Sequence, residues 1–251
     1  MQSLRELRRL CLVGLPASVL WAGDGPSTRP AAPSNRGDAT ASIEGQVVVS
    51  RALTARRPRF RIYAEPGPGA VPPAPDSADV DERQNIIVYI GQAPSGATAE
   101  PTRGATLRQH DERFLPHVLP VVRGTTVAFP NDDPLFHNVF SLSRAKSFDL
   151  GRYARGSARS VTFDRSGIVQ VFCHIHSDMS AVALVLDNPY FAVPDAEGRY
   201  TIPRLPPGDY TVVAWHERIR PITHRLHLEP DQVARLDFTI PLPPAEAAHS
   251  Q

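Results

Sequence analysis

The chain has 251 residues, 41% of them hydrophobic, a length that suits two modest domains better than one large one. Its 27 Lys and Arg stand against 26 Asp and Glu, and a net charge of +1 makes no electrostatic case for a nucleic-acid partner. With 26 prolines and no segment that keeps a helical period, the predicted class is all-β, strands broken by turns.

Arg5, Arg8 and Arg9 precede a short apolar run from Leu10 to Ala22, after which the chain turns polar. A positive start before a short apolar core reads as an export signal over residues 1–23, cut near Ala22 or Gly23, and places the mature protein in the periplasm or outside the cell. No other segment has the apolar length to cross a bilayer. Cleavage would remove Cys11 and leave Cys173 as the only cysteine in an oxidising compartment, where a free exposed thiol oxidises and a ligated one is protected. Residues 24–41, with Pro26, Pro30 and Pro33, read as a flexible linker.

Residues 42–106 hold three predicted strands, Ile43 to Val49, Phe60 to Tyr63 and Ile86 to Ile90, with a Pro- and Gly-rich exposed insertion from Glu65 to Val80. They could extend the domain that follows or form a module of their own.

The chemistry lies in residues 107–187. Thr125 to Phe129 reads as a strand, Pro130 to Pro134 as a turn, and the chain resumes at His137-Asn138-Val139. Ile168 to Phe172 reads as a strand that delivers Cys173, and Ala181 to Leu186 as the strand that leaves. Cys173, His176 and Met179 sit three residues apart on the turn between them, so all three can point at one atom. With His137 the donors become one thiolate, two imidazoles and a thioether, the set that binds copper as an electron carrier. Cys-x-x-His alone is also half of a zinc site, or a nucleophile beside its base. Zinc would want further cysteines, and a hydrolase would leave Met179 without a task. A buried cysteine with surface histidines nearby is the bland alternative.

The Cys173-x-x-His176-x-x-Met179 loop, with Phe129-Pro130-Asn131 and His137-Asn138-Val139, resembles the cupredoxin family, and its short loop is most similar to that of amicyanin. The resemblance covers residues 107–187 and implies a Greek-key β-sandwich. It implies one mononuclear copper held by His137, Cys173, His176 and Met179, and a hydrogen bond from the Asn138 backbone to the Cys173 sulfur. It also implies a redox partner such as a c-type cytochrome or a dehydrogenase. Some relatives of this arrangement carry the label of methylamine-utilisation proteins.

Residues 188–243 change pattern. Strands are predicted at Tyr190 to Val193, Arg199 to Pro203, Leu205 to His216 and Ala234 to Ile240, the last with Leu236, Phe238 and Ile240 on the buried face. Asp195-x-x-Gly198-x-Tyr200 followed by Pro206-Pro207-Gly208-Asp209-Tyr210-Thr211 resembles the regulatory-like β-sandwich of carboxypeptidases, a smaller carbohydrate-binding-like fold. It leaves a glycan contact conceivable, yet Tyr190, Tyr200, Tyr210 and Trp215 at strand spacing read as core. Residues 244–251 form a tail.

Of the other histidines, His174 should point away from the site and be exposed, and His110 reads as part of a solvated loop. His224 and His227 are out of phase on one strand, which argues against a second metal site there. Asp132 and Asp133 read as shaping the turn before His137. The expected function is an exported blue-copper electron carrier and not an enzyme. Copper storage or delivery, and a wall- or glycan-associated module with a structural copper site, are the alternatives.

Overall fold

The computed structural model describes residues 40–50, 81–92 and 100–240, all within the compact unit Asp38–Gln251. The expected signal, the Phe60 to Tyr63 strand, the insertion up to Val80 and the tail lie outside the described residues, as does most of the linker. The regular secondary structure described is all strand, apart from one 3-10 turn at Glu82–Asn85 capped by Asp81.

The first sandwich is built from β3 (Arg108–His110), β4 (Arg113–Leu115), β5 (Val118–Val122), β6 (Thr126–Pro130), β7 (His137–Leu142), β8 (Ser147–Tyr153), β9 (Ala158–Thr162), β10 (Gly167–Phe172) and β11 (Ser180–Leu186), which follow β1 (Ala41–Val49) and β2 (Ile87–Ile90) in the chain. One layer is a five-stranded sheet in the order β5-β11-β10-β7-β8, in which β5 and β11 run parallel. The facing layer is the β6-β9 pair beside the β3-β4 hairpin. Strand alternation sends Val139, Val169, Val171, Ala183 and Val185 inward from the first layer to meet Leu107, Phe114, Val127, Phe129 and Phe163 from the second. Fully burying a side chain such as Phe129 contributes roughly 1.5–3 kcal/mol, so this core carries the sandwich.

The second sandwich is discontinuous in sequence. β12 (Phe191–Ala192), β13 (Arg199–Leu205), β14 (Gly208–Trp215), β15 (Ile222–Leu228), β16 (Val233–Arg235) and β17 (Phe238–Ile240) enclose β1 and β2. One sheet runs β13-β1-β16 with β17 also on β1, and the other runs β12-β2-β14-β15. The sequence left open where the strands before residue 106 belong; of these the structure describes β1 and β2, which pair with strands between residues 191 and 240, because Ile43, Val47, Val88 and Ile90 share a core with Tyr200, Tyr210, Val212 and Phe238. The predicted run from Ala234 to Ile240 breaks at Leu236-Asp237, where the chain steps from β16 to β17 along β1. Tyr200, Tyr210 and Trp215 are buried, in keeping with core side chains.

A third apolar cluster joins the two sandwiches: Ile87 and Trp215 on one side, Val118, Val182, Leu184 and Leu186 on the other.

Candidate metal centre

β10 ends at Phe172 and β11 starts at Ser180, and their antiparallel pairing sets Phe172 opposite Ser180. The seven residues between must therefore turn back on themselves. They do so with their own backbone: the Cys173 N–H donates to Met179 O at 3.2 Å, and the Met179 N–H donates to His176 O at 3.0 Å. Cys173 and Met179 are thus held side by side at the end of the core, 4% and 1% exposed. β7 pairs with β10 next to this turn, Phe140 opposite Phe172, and so brings His137 to it from the neighbouring strand.

Three of the four expected donors meet closely. His137 Nδ1 and His176 Nδ1 are 3.1 Å apart, and each lies 3.9 Å from Cys173 Sγ. A triangle with these sides has its centre about 2.1 Å from each corner, which is the distance at which a transition metal sits from imidazole nitrogen and close to that from thiolate sulfur. One metal ion therefore fits in the plane of the three donors. Met179 is buried in the same core cluster as Cys173 and closes the loop beside it. His137 is fully buried, whereas the His176 side chain is 22% exposed and forms the edge of the group that meets solvent.

The orientation of His137 comes from a residue that the sequence assigned only to the turn. Its Nε2–H donates to Asp133 Oδ2 at 2.7 Å, which fixes the tautomer and leaves Nδ1 to face the thiol. Asp133 is 3% exposed and also accepts the backbone N–H groups of Asp111 at 2.6 Å and Glu112 at 2.9 Å. Burial pushes its carboxyl up, but the hydrogen bonds from Glu112, His137 and Asp111 outweigh this and hold it below the ordinary carboxylate range. Asp111 and Glu112 have φ of 51° and 54°, the left-handed pair of a two-residue hairpin turn between β3 and β4. Asp133 thus ties that turn to the buried imidazole, and Glu112 returns its carboxylate to within 3.8 Å of His176 Nε2. The signal in sequence was the four-residue spacing of Asp133 and His137 across a proline turn, which says nothing about direction.

Asn131 shapes the rest of the turn, donating to Leu135 O and Tyr153 O and accepting the Asp133 N–H. Asp132 pairs instead with Arg108. Among the described residues the Asn138 backbone makes no hydrogen bond to the Cys173 sulfur; Asn138 sits at a bulge in β7, and its side chain donates to Asp149 at 2.7 Å. His174 is exposed and packs against Phe140, ring centroids 3.8 Å apart and planes tilted by 54°, away from the donors. His110, Asp111 and Asp133 form a second group of possible ligand atoms, but the Asp133 carboxylate is already shared among His137 and two backbone donors. His224 packs against Phe238 and His227 pairs with Asp209.

These features define an all-β protein of two packed sandwiches with a His-Cys-His group, two of its members buried and His176 partly exposed, able to hold one metal ion. The carboxypeptidase regulatory-like domain family matches residues 180–241. Among solved structures the chain is similar to an amicyanin variant in its reduced state, at 23% identity and a TM-score of 0.31, over 39% of this chain and 98% of that one. It is similar to a purple cupredoxin from Nitrosopumilus maritimus, at 22% identity and a TM-score of 0.29, over 32% of this chain and 96% of that one. A copper-containing nitrite reductase from Thermus scotoductus SA-01 is 25% identical over 38% of this chain, with a TM-score of 0.32; the chain spans 25% of that enzyme's length. No curated protein matches the chain. No helix among the described residues is long and apolar enough to cross a membrane.

Proposed function

We propose that the chain is an exported blue-copper protein that carries single electrons between redox partner proteins, with His137, Cys173, His176 and Met179 as the residues that would hold the copper. The observation that carries this reading is the triangle of two imidazole nitrogens and one thiol sulfur, 3.1 to 3.9 Å on a side, closed by a loop whose last residue is a buried methionine. Copper bound by such donors takes up and releases one electron between Cu(I) and Cu(II), the soft sulfurs suiting the first state and the imidazoles the second.

The chain's own residues supply the rest. Asp133 pins His137, so this donor does not swing when the charge at the centre changes. Burial of His137 and Cys173 keeps water from the thiolate. His176 alone of the three reaches the surface, where Leu135, Phe136 and Ile175 expose apolar area around the loop. A partner such as a c-type cytochrome or a dehydrogenase would approach that edge. Were Met179 to supply a fourth donor, copper would have no position left for a substrate, and that would favour a carrier over an enzyme.

The test is a visible and electron paramagnetic resonance spectrum of the purified chain loaded with Cu(II), before and after ascorbate. An intense thiolate-to-copper band that bleaches and returns, and is absent from Cys173→Ser, supports the carrier. Ready loss of Cu(I) to a soluble chelator would instead favour delivery, and a colourless protein with tighter affinity for zinc would sink both.

A further inference from the structure

The strand that leaves the candidate centre is shared between the two sandwiches. β11 begins one residue after Met179. It turns Ala181, Ala183 and Val185 into the core that also holds Cys173 and Met179, and turns Val182, Leu184 and Leu186 to the seam with Ile87 and Trp215. The two-residue period of a strand thus gives each sandwich one face of the same element. Apolar packing of this kind is non-directional and does not by itself fix where the strand ends.

One side chain supplies direction. The His117 carbonyl accepts the Val182 N–H at 2.8 Å, and its Nδ1–H donates to Ser180 O at 3.0 Å, so one residue holds two successive backbone groups on the same edge of β11. Its Nε2 meets Glu217 Oε1 at 2.8 Å. Glu217 lies two residues beyond Trp215, in the turn that follows β14 of the second sandwich. A carboxylate of that sandwich therefore reaches, through one imidazole, the carbonyl adjacent to Met179. From Met179 the hydrogen bonds continue to His176 O and from the Cys173 N–H.

We propose that His117 and Glu217 are positioning residues by which the C-terminal sandwich sets the place of Met179 and of the loop from Cys173 to Met179. What that placement does for copper rests on the reading above. The role of the second sandwich is then to hold the exit strand of the metal loop, and the hydrogen-bonded pair is the point where it does so.

The test is made first on the full chain without metal, by amide hydrogen exchange. Glu217→Ala should speed exchange of the Cys173 and Met179 amides up to about tenfold, the loss expected for one hydrogen bond, while amides of β6 stay unchanged. Glu217→Gln keeps a hydrogen-bonding group opposite His117 Nε2 and should restore near wild-type exchange. Ile87→Ala thins the seam without touching the pair, and should lower overall stability with no selective change at residues 173 and 179. Unchanged exchange in Glu217→Ala, or an equal rise in Ile87→Ala, would overturn the proposal. On loading with Cu(II), Glu217→Ala should shift the thiolate band and the midpoint potential and Glu217→Gln should not. The exchange result judges the positioning by itself, and a wild-type chain with no thiolate band would remove the copper reading alone.

Discussion

Asp133 Oδ2 lies 2.7 Å from Nε2 of His137, and both side chains are shut away from solvent. A buried carboxylate with one imidazole and two backbone donors on it is fully satisfied only as the anion, and it is more costly to break than to leave. Asp133→Asn keeps one acceptor and loses the charge. Copper affinity should fall about 10–100-fold, as for other residues that orient a metal-bound imidazole, with Cys173 untouched. Competition against a chromophoric chelator measures it, and an affinity within twofold of wild type would mean that His137 is held in some other way.

On the proposed copper reading Met179→Leu should leave copper bound and raise the midpoint potential, because it would replace a weak donor to Cu(II) by a hydrocarbon of similar volume in a closely packed core. Cyclic voltammetry of the two proteins decides this. An unchanged potential would show that the Met179 thioether is buried near the metal without touching it.

His174 is next to Cys173 in sequence, yet its ring packs against Phe140, away from the donors. His174→Ala should remove that contact and leave the thiolate band in place, with copper affinity within about threefold and a stability loss of about 0.5–1.5 kcal/mol. A collapse of the band would place His174 among the ligands.

How much of this was legible in the sequence depends on whether the information was local. Strand alternation and proline turns fix β6, β7, β10 and β11 to within a residue or two, and Cys173 and His176, three apart on one turn, can hardly avoid one another. His174 was legible for the same reason, since the next residue on an extended chain faces the other way. Asp133 was not, because its acceptors are claimed by Asp111 and Glu112, 22 and 21 residues away, and no local pattern encodes that. The placement of β1 and β2 was equally hidden. Their alternation suits any sheet, and only the core shared with Tyr200 and Phe238 decides which one they join.

Gly45 makes the same point from the side of packing. It lies in β1 where the pairing passes from β16 to β17, and a Cβ there would overlap the carbonyl of Leu236, whose N–H bonds Glu44 O at 2.9 Å. The close approach is what lets one strand carry two successive partners. Gly45→Ala should cost roughly 1–3 kcal/mol by overpacking, read as a lower urea midpoint, and should leave the metal-binding spectrum as it was, since the damage is confined to the other sandwich. A spectral change would mean that strain crosses the seam.

Stability at high pH should report on Tyr153. Burial pushes its phenol up to about 12, against the smaller opposing pulls of the Gln109 hydrogen bond and the Arg159 charge, while its O–H donates to Phe129 O at 2.8 Å. An acid group whose folded pKa is raised favours its protonated form in the native state. Its contribution is therefore complete below the unfolded value of about 10 and is lost as pH rises toward about 12, because the unfolded chain releases the proton first. Urea unfolding at a series of pH values across that window should show stability falling with pH. Tyr153→Phe should lower stability at neutral pH by about 1 kcal/mol, for the lost hydrogen bonds, and flatten the fall at high pH. Some slope should persist, since burial raises Tyr200 as well. An equally steep fall in Tyr153→Phe would assign the effect to other groups and leave Tyr153 a hydrogen-bonding residue only.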